Sequence, residues 1–292
     1  MTALRTAAAA ALAIAMLAAP AAAGALWQPP PGDSVAALSG DGLAYGSVRF
    51  RTVLDDPDAK DPGYLQDKRL VITRGGVPIF RSDVSALWSV VAVRDDILPG
   101  GRPLAVLASY SGGAHCCAGL QLVTLDGVAA VAADLALGHG DLPDADDLFV
   151  DADGDGQADI RAFDQTFAYW IVSFAESPFT PILLHWRDGA FRLNLTAMRR
   201  PPPTDASLAA AAAAIRAEDR WREGGPPPLL WERMSAQIFS GNAPAAWQLL
   251  ERAWPPAVPG RDRFAADFRN QLKTSPWWDD LLRLNPAGLP QP

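Results

Sequence analysis

The sequence predicts an all-β repeat domain, with incomplete propeller-like or irregular β-sheets, followed by a small all-α domain. Between residues 45 and 195, short runs rich in β-branched and aromatic residues alternate with Gly-containing turns. From residue 207 onward, apolar residues instead recur at helical spacing. The Pro-rich run Arg199-Arg200-Pro201-Pro202-Pro203 separates the two patterns. We therefore expect a β-repeat domain over residues 24–198, a linker over 199–206 and a helical domain over 207–285.

The β-region is expected to contain strands and hairpins with Gly-containing turns. Alternation predicts a strand over residues 45–54, and a continuous apolar run predicts a buried strand over 104–110. Hairpins are predicted over residues 69–81, 120–132 and 180–195, around Gly75-Gly76, Asp126-Gly127 and Asp188-Gly189. A loose internal repeat relates residues 93–110 to the segment from residue 150 at an offset of about 55 residues, which is typical of blade-type repeats.

The C-terminal region is expected to form five helices. An Ala-rich helix is predicted over residues 207–221, after the capping candidates Thr204 and Asp205. Ser275 and Pro276 are predicted to be the N-cap and first residue of the last helix. The expected buried faces of the other four helices are Leu230, Met234 and Ile238; Ala246, Leu249, Leu250 and Ala253; Phe264, Phe268 and Leu272; and Trp277, Leu281 and Leu284.

The first 23 residues have the features of an export signal peptide. Arg5 precedes an apolar run over residues 7–19, and Ala21-Ala22-Ala23 supplies the small residues that a signal peptidase prefers. The apolar run is short for a bilayer span, so a retained anchor is the less favoured alternative. We expect a periplasmic or secreted protein with no membrane span after removal of the signal.

The charge of the chain favours cation binding and argues against nucleic acid as a partner. Without the predicted signal, 24 basic and 33 acidic residues remain, a net charge of about −9. The acidity is concentrated, because residues 103–160 contain ten Asp and no Lys or Arg. Such a negative field repels phosphates and anionic membrane surfaces.

The acidic segment contains one pattern typical of a metal loop, LFVDADGDGQADIRA over residues 148–162. Asp151, Asp153, Asp155 and Asp159 are spaced at i, i+2, i+4 and i+8, with two glycines between them. Hard divalent cations, above all Ca²⁺, are bound by such closely spaced carboxylates. The alternative is a solvated acidic turn without a metal.

The loop resembles the calcium loops of FG-GAP and VCBS-type β-repeats, which have the pattern D-x-D-G-D-G-x-x-D followed directly by a strand. An EF-hand is a poorer match, because Ala162 occupies the twelfth position, where an EF-hand has a bidentate Glu. The resemblance implies Ca²⁺ ligands at Asp151, Asp153, Asp155 and Asp159, and at the backbone carbonyl of Gln157. It also implies that the metal stabilises a β-turn and does not take part in catalysis.

The two cysteines of the chain, Cys116 and Cys117, are adjacent, in the segment SYSGGAHCCAG over residues 109–119. Three interpretations remain open: a strained vicinal disulfide, a metal or redox site that also uses His115, and two buried thiols. The S-G-G-A-H-C-C signature and the segment 104–196 around it resemble a group of exported bacterial proteins. That resemblance implies no activity.

These observations predict an exported, calcium-stabilised binding or envelope-interaction protein without a catalytic role. Its partner would be a protein or a glycan of the cell envelope. One alternative is a secreted hydrolase of envelope or polysaccharide material, with His115 or His139 beside the Asp-rich loops. A weaker alternative is a thiol–disulfide or metal-handling protein centred on His115, Cys116 and Cys117. Asn194-Leu195-Thr196 matches a glycosylation sequon, which we attribute to composition.

Overall fold

The computed structural model describes residues 26–28, 34–56, 58, 67–112, 118–127, 129–136, 145–223 and 225–289. The predicted signal peptide therefore lies outside the described residues. The predictions for His115, Cys116, Cys117 and His139 also lie outside them. Among the described helices, none combines the length and the hydrophobicity that crossing a membrane requires.

The described residues form thirteen strands and eight α-helices. The strands are β1 Leu26–Trp27, β2 Leu43–Tyr45, β3 Val48–Leu54, β4 Lys68–Arg74, β5 Val77–Arg81, β6 Leu87–Leu98, β7 Arg102–Tyr110, β8 Ala118–Thr124, β9 Val131–Ala136, β10 Phe149–Val150, β11 Asp159–Asp164, β12 Thr180–Arg187 and β13 Ala190–Leu193. The helices are α1 Ser34–Ser39, α2 Ala145–Leu148, α3 Leu195–Met198, α4 Asp205–Arg216, α5 Pro228–Phe239, α6 Ala243–Ala253, α7 Arg261–Leu272 and α8 Trp278–Leu284. Two 3₁₀ turns, Phe174–Glu176 and Asp219–Glu223, complete the described elements.

The strands form three open antiparallel sheets. The central sheet has the order β1-β6-β7-β8-β9, the N-terminal sheet β2-β3-β4-β5 and the C-terminal sheet β10-β11-β12-β13. An all-β region followed by helices is therefore confirmed at this coarse level. Sheet order follows chain order in the N-terminal and C-terminal sheets, and two-residue turns join β2 to β3, β4 to β5 and β12 to β13.

The predicted hairpins are present, and their turns explain their positions. Gly75 and Gly76, with φ of 55° and 85°, connect β4 to β5. Asp188 and Gly189, with φ of 52° and 83°, connect β12 to β13. Positive φ at both central residues is what a two-residue turn between twisted strands requires. The strand predicted over residues 45–54 is wrong in one respect, because a turn at Gly46 divides it into β2 and β3.

The central sheet is buried on both faces, which explains why residues 104–108 are continuously apolar. Leu104, Val106 and Ala108 of β7 face one core, which also contains residues of the C-terminal sheet and the helices. Ala105 and Leu107 point the opposite way, into a second core shared with the N-terminal sheet and α1. Side chains of a strand alternate between faces, so one strand contributes to both cores.

The C-terminal helices pack into the same hydrophobic core as the C-terminal sheet. The predicted faces of α5, α6 and α7 are buried, as are Leu281 and Leu284 of α8. The Phe268 ring of α7 stacks on Phe167, which follows β11, with 4.7 Å between ring centroids. The core is thus continuous across the predicted linker.

Two predicted helix ends are wrong. The Ala-rich helix α4 ends at Arg216, and a 3₁₀ turn follows. Helix α8 begins at Trp278 with Trp277 as its N-cap, two residues after the predicted cap. Ser275 instead donates its hydroxyl hydrogen to Asp164 Oδ2 at 2.8 Å, while its oxygen accepts from the Trp277 N–H. Ser275 therefore hydrogen-bonds to Asp164 of β11 and is not the N-cap of α8.

The carboxyl group of Asp164 lies at the junction of β11 and the helices. Its side chain accepts hydrogen bonds from the Thr166 N–H, the Thr166 hydroxyl and the Ser275 hydroxyl. Burial raises the pKa of Asp164 above its ordinary value of 3.8, and the hydrogen bonds from Ser275 and Thr166 only partly oppose this. The folded protein therefore holds this proton to a higher pH than the unfolded chain does.

Asp164→Asn is expected to change how stability depends on pH. Between pH 3.8 and the raised folded-state pKa, the folded state binds more protons at this site, so its contribution to stability falls as pH rises. The unfolding free energy of the wild type minus that of Asp164→Asn should therefore decrease by up to about 1.4 kcal/mol per pH unit in this window and then level off. Urea unfolding between pH 4 and pH 8 measures this difference. A difference that is constant, or that grows with pH, would contradict the assignment.

Candidate metal centre

The candidate site is the loop between β10 and β11, residues 151–158. The two strands pair antiparallel, with Phe149 opposite Ile160 and Val150 opposite Asp159. The loop brings together Asp151, Asp153 and Asp155, which we call the Asp triad. All three residues are exposed, and one carboxylate oxygen from each lies within 4.8 Å of the others.

Hydrogen bonds from the backbone fix the curvature of this loop. The Asp151 carboxylate accepts the N–H groups of Gly154 at 2.8 Å and of Asp155 and Gly156 at 3.1 Å. Gly154 and Gly156 have φ of 76° and 86°, a backbone conformation that glycine adopts without steric cost. The loop therefore curves around the side chain of its first aspartate, as the spacing of the Asp and Gly residues predicts.

Asp159 and Asn194 form a buried polar cluster beneath the triad. Asp159 is only 2% exposed, and Asn194 only 1%. The amide nitrogen of Asn194 donates to Asp153 Oδ2 and to Asp159 Oδ1, each at 2.9 Å. Asn194 Oδ1 accepts the Ala197 N–H at 3.0 Å and so caps α3. One side chain thus connects the loop, the first residue of β11 and the start of α3; we call Asp153, Asp159 and Asn194 the Asn194 cluster.

Burial changes the pKa of the Asp159 carboxyl group. Desolvation raises the pKa of Asp159 above its ordinary value of 3.8. Hydrogen bonds from Asn194 and from the Ala152 N–H oppose this rise, while the nearby charge of Asp153 adds to it. A positive charge near these two carboxylates would relieve both the desolvation and the repulsion.

The donor set fits a hard divalent cation. Carboxylate oxygens are the preferred ligands of Ca²⁺, which accepts six to eight oxygens at about 2.3–2.6 Å in flexible geometry. Oxygens on a sphere of that radius are separated by at most about 5.2 Å, which the spacing within the Asp triad satisfies. The Gln157 N–H donates to Asp155 Oδ1 at 2.8 Å, and the role of its carbonyl as a ligand stays a prediction. Asp159 as a direct ligand also stays a prediction, since it is buried and is not among the carboxylates that converge within 4.8 Å.

Sequence reasoning missed Asn194, which it assigned to an incidental glycosylation sequon. The residue is buried and fully used in hydrogen bonding, so its side chain is not accessible to modification. The sequence does indicate one role for this residue. Asn is a favoured N-cap residue, and Asn194 lies directly after a strand and before a short helix. Its contacts with Asp153 and Asp159 cannot be predicted from local sequence, because these residues are 41 and 35 positions away.

No protein-family model, curated protein or solved structure matches the chain.

Proposed function

We propose that the chain is an exported, calcium-stabilised binding or envelope-interaction protein without a catalytic role. The observation that carries the proposal is the Asp triad, three convergent carboxylates on a loop whose curvature is fixed by hydrogen bonds. The entry of the loop into strand β11 supports a calcium-binding β-repeat of the FG-GAP or VCBS type. The proposed partner is a protein or glycan of the cell envelope.

In this proposal the metal stabilises the fold. Asp151, Asp153 and Asp155 would hold Ca²⁺, with Asp159 and the Gln157 carbonyl as further ligands, and the ion would supply positive charge among closely spaced carboxylates. Contacts within the chain hold the loop in position. The Asn194 cluster connects it to α3, and the Ala158 N–H donates to the Asp96 carbonyl of β6 at 3.1 Å. Stabilising the loop therefore stabilises the junction of two sheets and the helical segment.

Calcium is expected to raise the melting temperature by several degrees, and EGTA to reverse the increase. A ligand present at about 100 times its dissociation constant adds roughly 2.7 kcal/mol of stability. In a protein of this size that corresponds to a shift of about 5–10 °C. Differential scanning calorimetry of the full chain with Ca²⁺ and with EGTA measures the shift.

Two variants and a matched control localise the effect. Asp151→Asn and Asp153→Asn should each lose most of the calcium-dependent shift, because each removes a charged ligand. Asp188→Asn should retain it, because Asp188 is an exposed turn aspartate that also precedes a glycine, in the β12–β13 hairpin. A wild type that melts at the same temperature with Ca²⁺ and with EGTA would refute the proposal.

A further inference from the structure

A second feature of the molecule is an open cavity of about 580 Å³ at one end of the central sheet. It lies between the segment that follows β5, residues 83–85, and the segment that follows β11, residues 165–174. A volume of this size is typical of small-molecule sites. No residue of the Asp triad is among its described lining residues.

The floor of the cavity is built by the register of the central sheet. Ser109 of β7 lies opposite both Trp88 of β6 and Gly119 of β8, and in the next row Gln121 of β8 lies opposite Asp134 of β9. All five residues line the cavity. Because Gly119 has no side chain, the floor is open there. Among the described residues, a Cβ at this position would meet Leu135 O at 3.4 Å and Ser109 Oγ at 3.5 Å.

The side chain of Gln121 offers the cavity a polar group whose oxygen has no hydrogen-bond partner among the described residues. Gln121 is only 7% exposed, and its Oε1 atom has no hydrogen-bond partner among the described residues. A buried acceptor without a partner destabilises a fold, so an apolar residue would be more stable here. Oε1 itself has almost no accessible surface, so it would face a ligand only after a rotation about the last side-chain bond, which exchanges the amide oxygen and nitrogen.

The charges and aromatic rings of the lining favour a cation. Asp83 and Asp134 both line the cavity, whereas no Lys, Arg or His is among its described lining residues. Neither carboxylate forms an ion pair within the described part of the chain. Trp88, Tyr169 and Phe174 contribute aromatic surface. Rings of this kind attract ammonium groups through their negative faces.

Tyr169 is held at the cavity in a strained conformation. Its φ is 57°, which is rare for a bulky residue, and the residue is 60% exposed. The Ser177 hydroxyl maintains the turn, because it accepts the Tyr169 N–H and donates to the Ser173 carbonyl, both at 2.9 Å. Strain of this kind persists where surrounding contacts impose it, and it concentrates at ligand sites.

We propose that this cavity binds a small organic cation with primary ammonium groups, such as a diamine. Ammonium N–H groups would donate to Gln121 Oε1 and to the Asp83 and Asp134 carboxylates, and the methylene chain would lie against the aromatic side chains. This site is separate from the calcium loop, and its test does not depend on the outcome for calcium.

Isothermal titration calorimetry with 1,4-diaminobutane and with 1,4-butanediol tests the proposal. The two probes have the same length, and only the diamine is charged. The titrations are run at fixed ionic strength and are repeated with Asp151→Asn/Asp153→Asn, which weakens competition by the Asp triad for the amine whether or not the triad binds Ca²⁺. We expect the diamine to bind and the diol to bind at least about tenfold more weakly, since hydrogen bonds to charged groups are the stronger ones. Equal binding of the two probes, or no diamine binding at millimolar concentration, would overturn the proposal.

Three variants and a control locate the binding. Gln121→Leu should melt at the same or a higher temperature than the wild type yet bind the diamine about tenfold more weakly. The exposed Asp134→Asn should weaken binding similarly, and Gly119→Leu should obstruct the cavity floor. Asp188→Asn, an exposed carboxylate elsewhere, should bind as the wild type does. If both Gln121→Leu and Asp134→Asn bind the diamine with wild-type affinity, the cavity is not the site and the proposal is wrong.

Discussion

Asn194→Ala is expected to lower the free energy of unfolding by about 3 kcal/mol or more. The substitution removes the donor to two carboxylates and the cap of α3 at once. Hydrogen bonds to charged groups contribute about 1.5–3 kcal/mol each, and an N-cap about 1 kcal/mol. It also leaves the buried carboxylate of Asp159, whose pKa is already raised by desolvation, without its amide partner.

Urea unfolding of Asn194→Ala beside Thr204→Ala separates the cluster from the cap. Thr204 caps α4 by accepting a hydrogen bond from the Ser207 N–H. Within the described part of the chain its side chain has no carboxylate partner, so its loss should cost only about 1 kcal/mol. Equal losses in the two variants would contradict the role assigned to the Asn194 cluster.

Asn194→Asp adds a further test. It retains the cap but places a third carboxylate beside Asp153 and Asp159, so its stability should depend more strongly on Ca²⁺ than that of the wild type.

Phe268→Ala is the second change with a large expected effect, a loss of about 3–5 kcal/mol. The Phe268 ring is fully buried at the contact between α7 and the segment after β11. It stacks on Phe167 and lies edge-on to Trp170, with 6.1 Å between the Phe268 and Trp170 ring centroids. Its removal creates a cavity in the core that the helices share with the C-terminal sheet. Sheet and helices should therefore be destabilised together.

Two spectroscopic probes of the same denaturation measure this coupling. Far-UV circular dichroism at the helical band follows the helices, and the NMR signals of central-sheet amides follow the sheets. Their transitions should coincide in the wild type and move together in Phe268→Ala. Phe163→Ala is the matched control, since Phe163 is 41% exposed, and its loss should be much smaller. If only the helical signal shifts in Phe268→Ala, then the sheets and the C-terminal helices unfold independently. The core that they share would then contribute little to the stability of the fold.

Local patterns predicted the local elements of this fold well. Gly75-Gly76 and Asp188-Gly189 define hairpins because the backbone conformation that they adopt belongs to the turn itself. The helical faces of α5, α6 and α7 follow from spacing, since each helix buries one side. The acidic loop between β10 and β11 belongs to the same class, because the three carboxylates of its triad lie within five consecutive residues.

The remaining features depend on contacts between residues that are distant in sequence. The run over residues 104–108 predicted burial but not the two sheets that cover its faces. Ser275 had the sequence of a helix cap, and contact with Asp164, 111 residues away, gave it another role. The position of Gln121 in a cavity wall likewise depends on strand register and on the segment after β11, neither of which a single strand encodes.

Calcium binding measured directly by isothermal titration calorimetry is the most decisive measurement. The protein is first dialysed against a chelator and then against chelator-free buffer, and wild type is compared with Asp151→Asn/Asp153→Asn. We expect one Ca²⁺ per chain in the wild type and none in the double variant, with Asp188→Asn equal to the wild type. Absence of calcium binding in the wild type, or unchanged binding in the double variant, would contradict the assignment of the Asp triad as a calcium site.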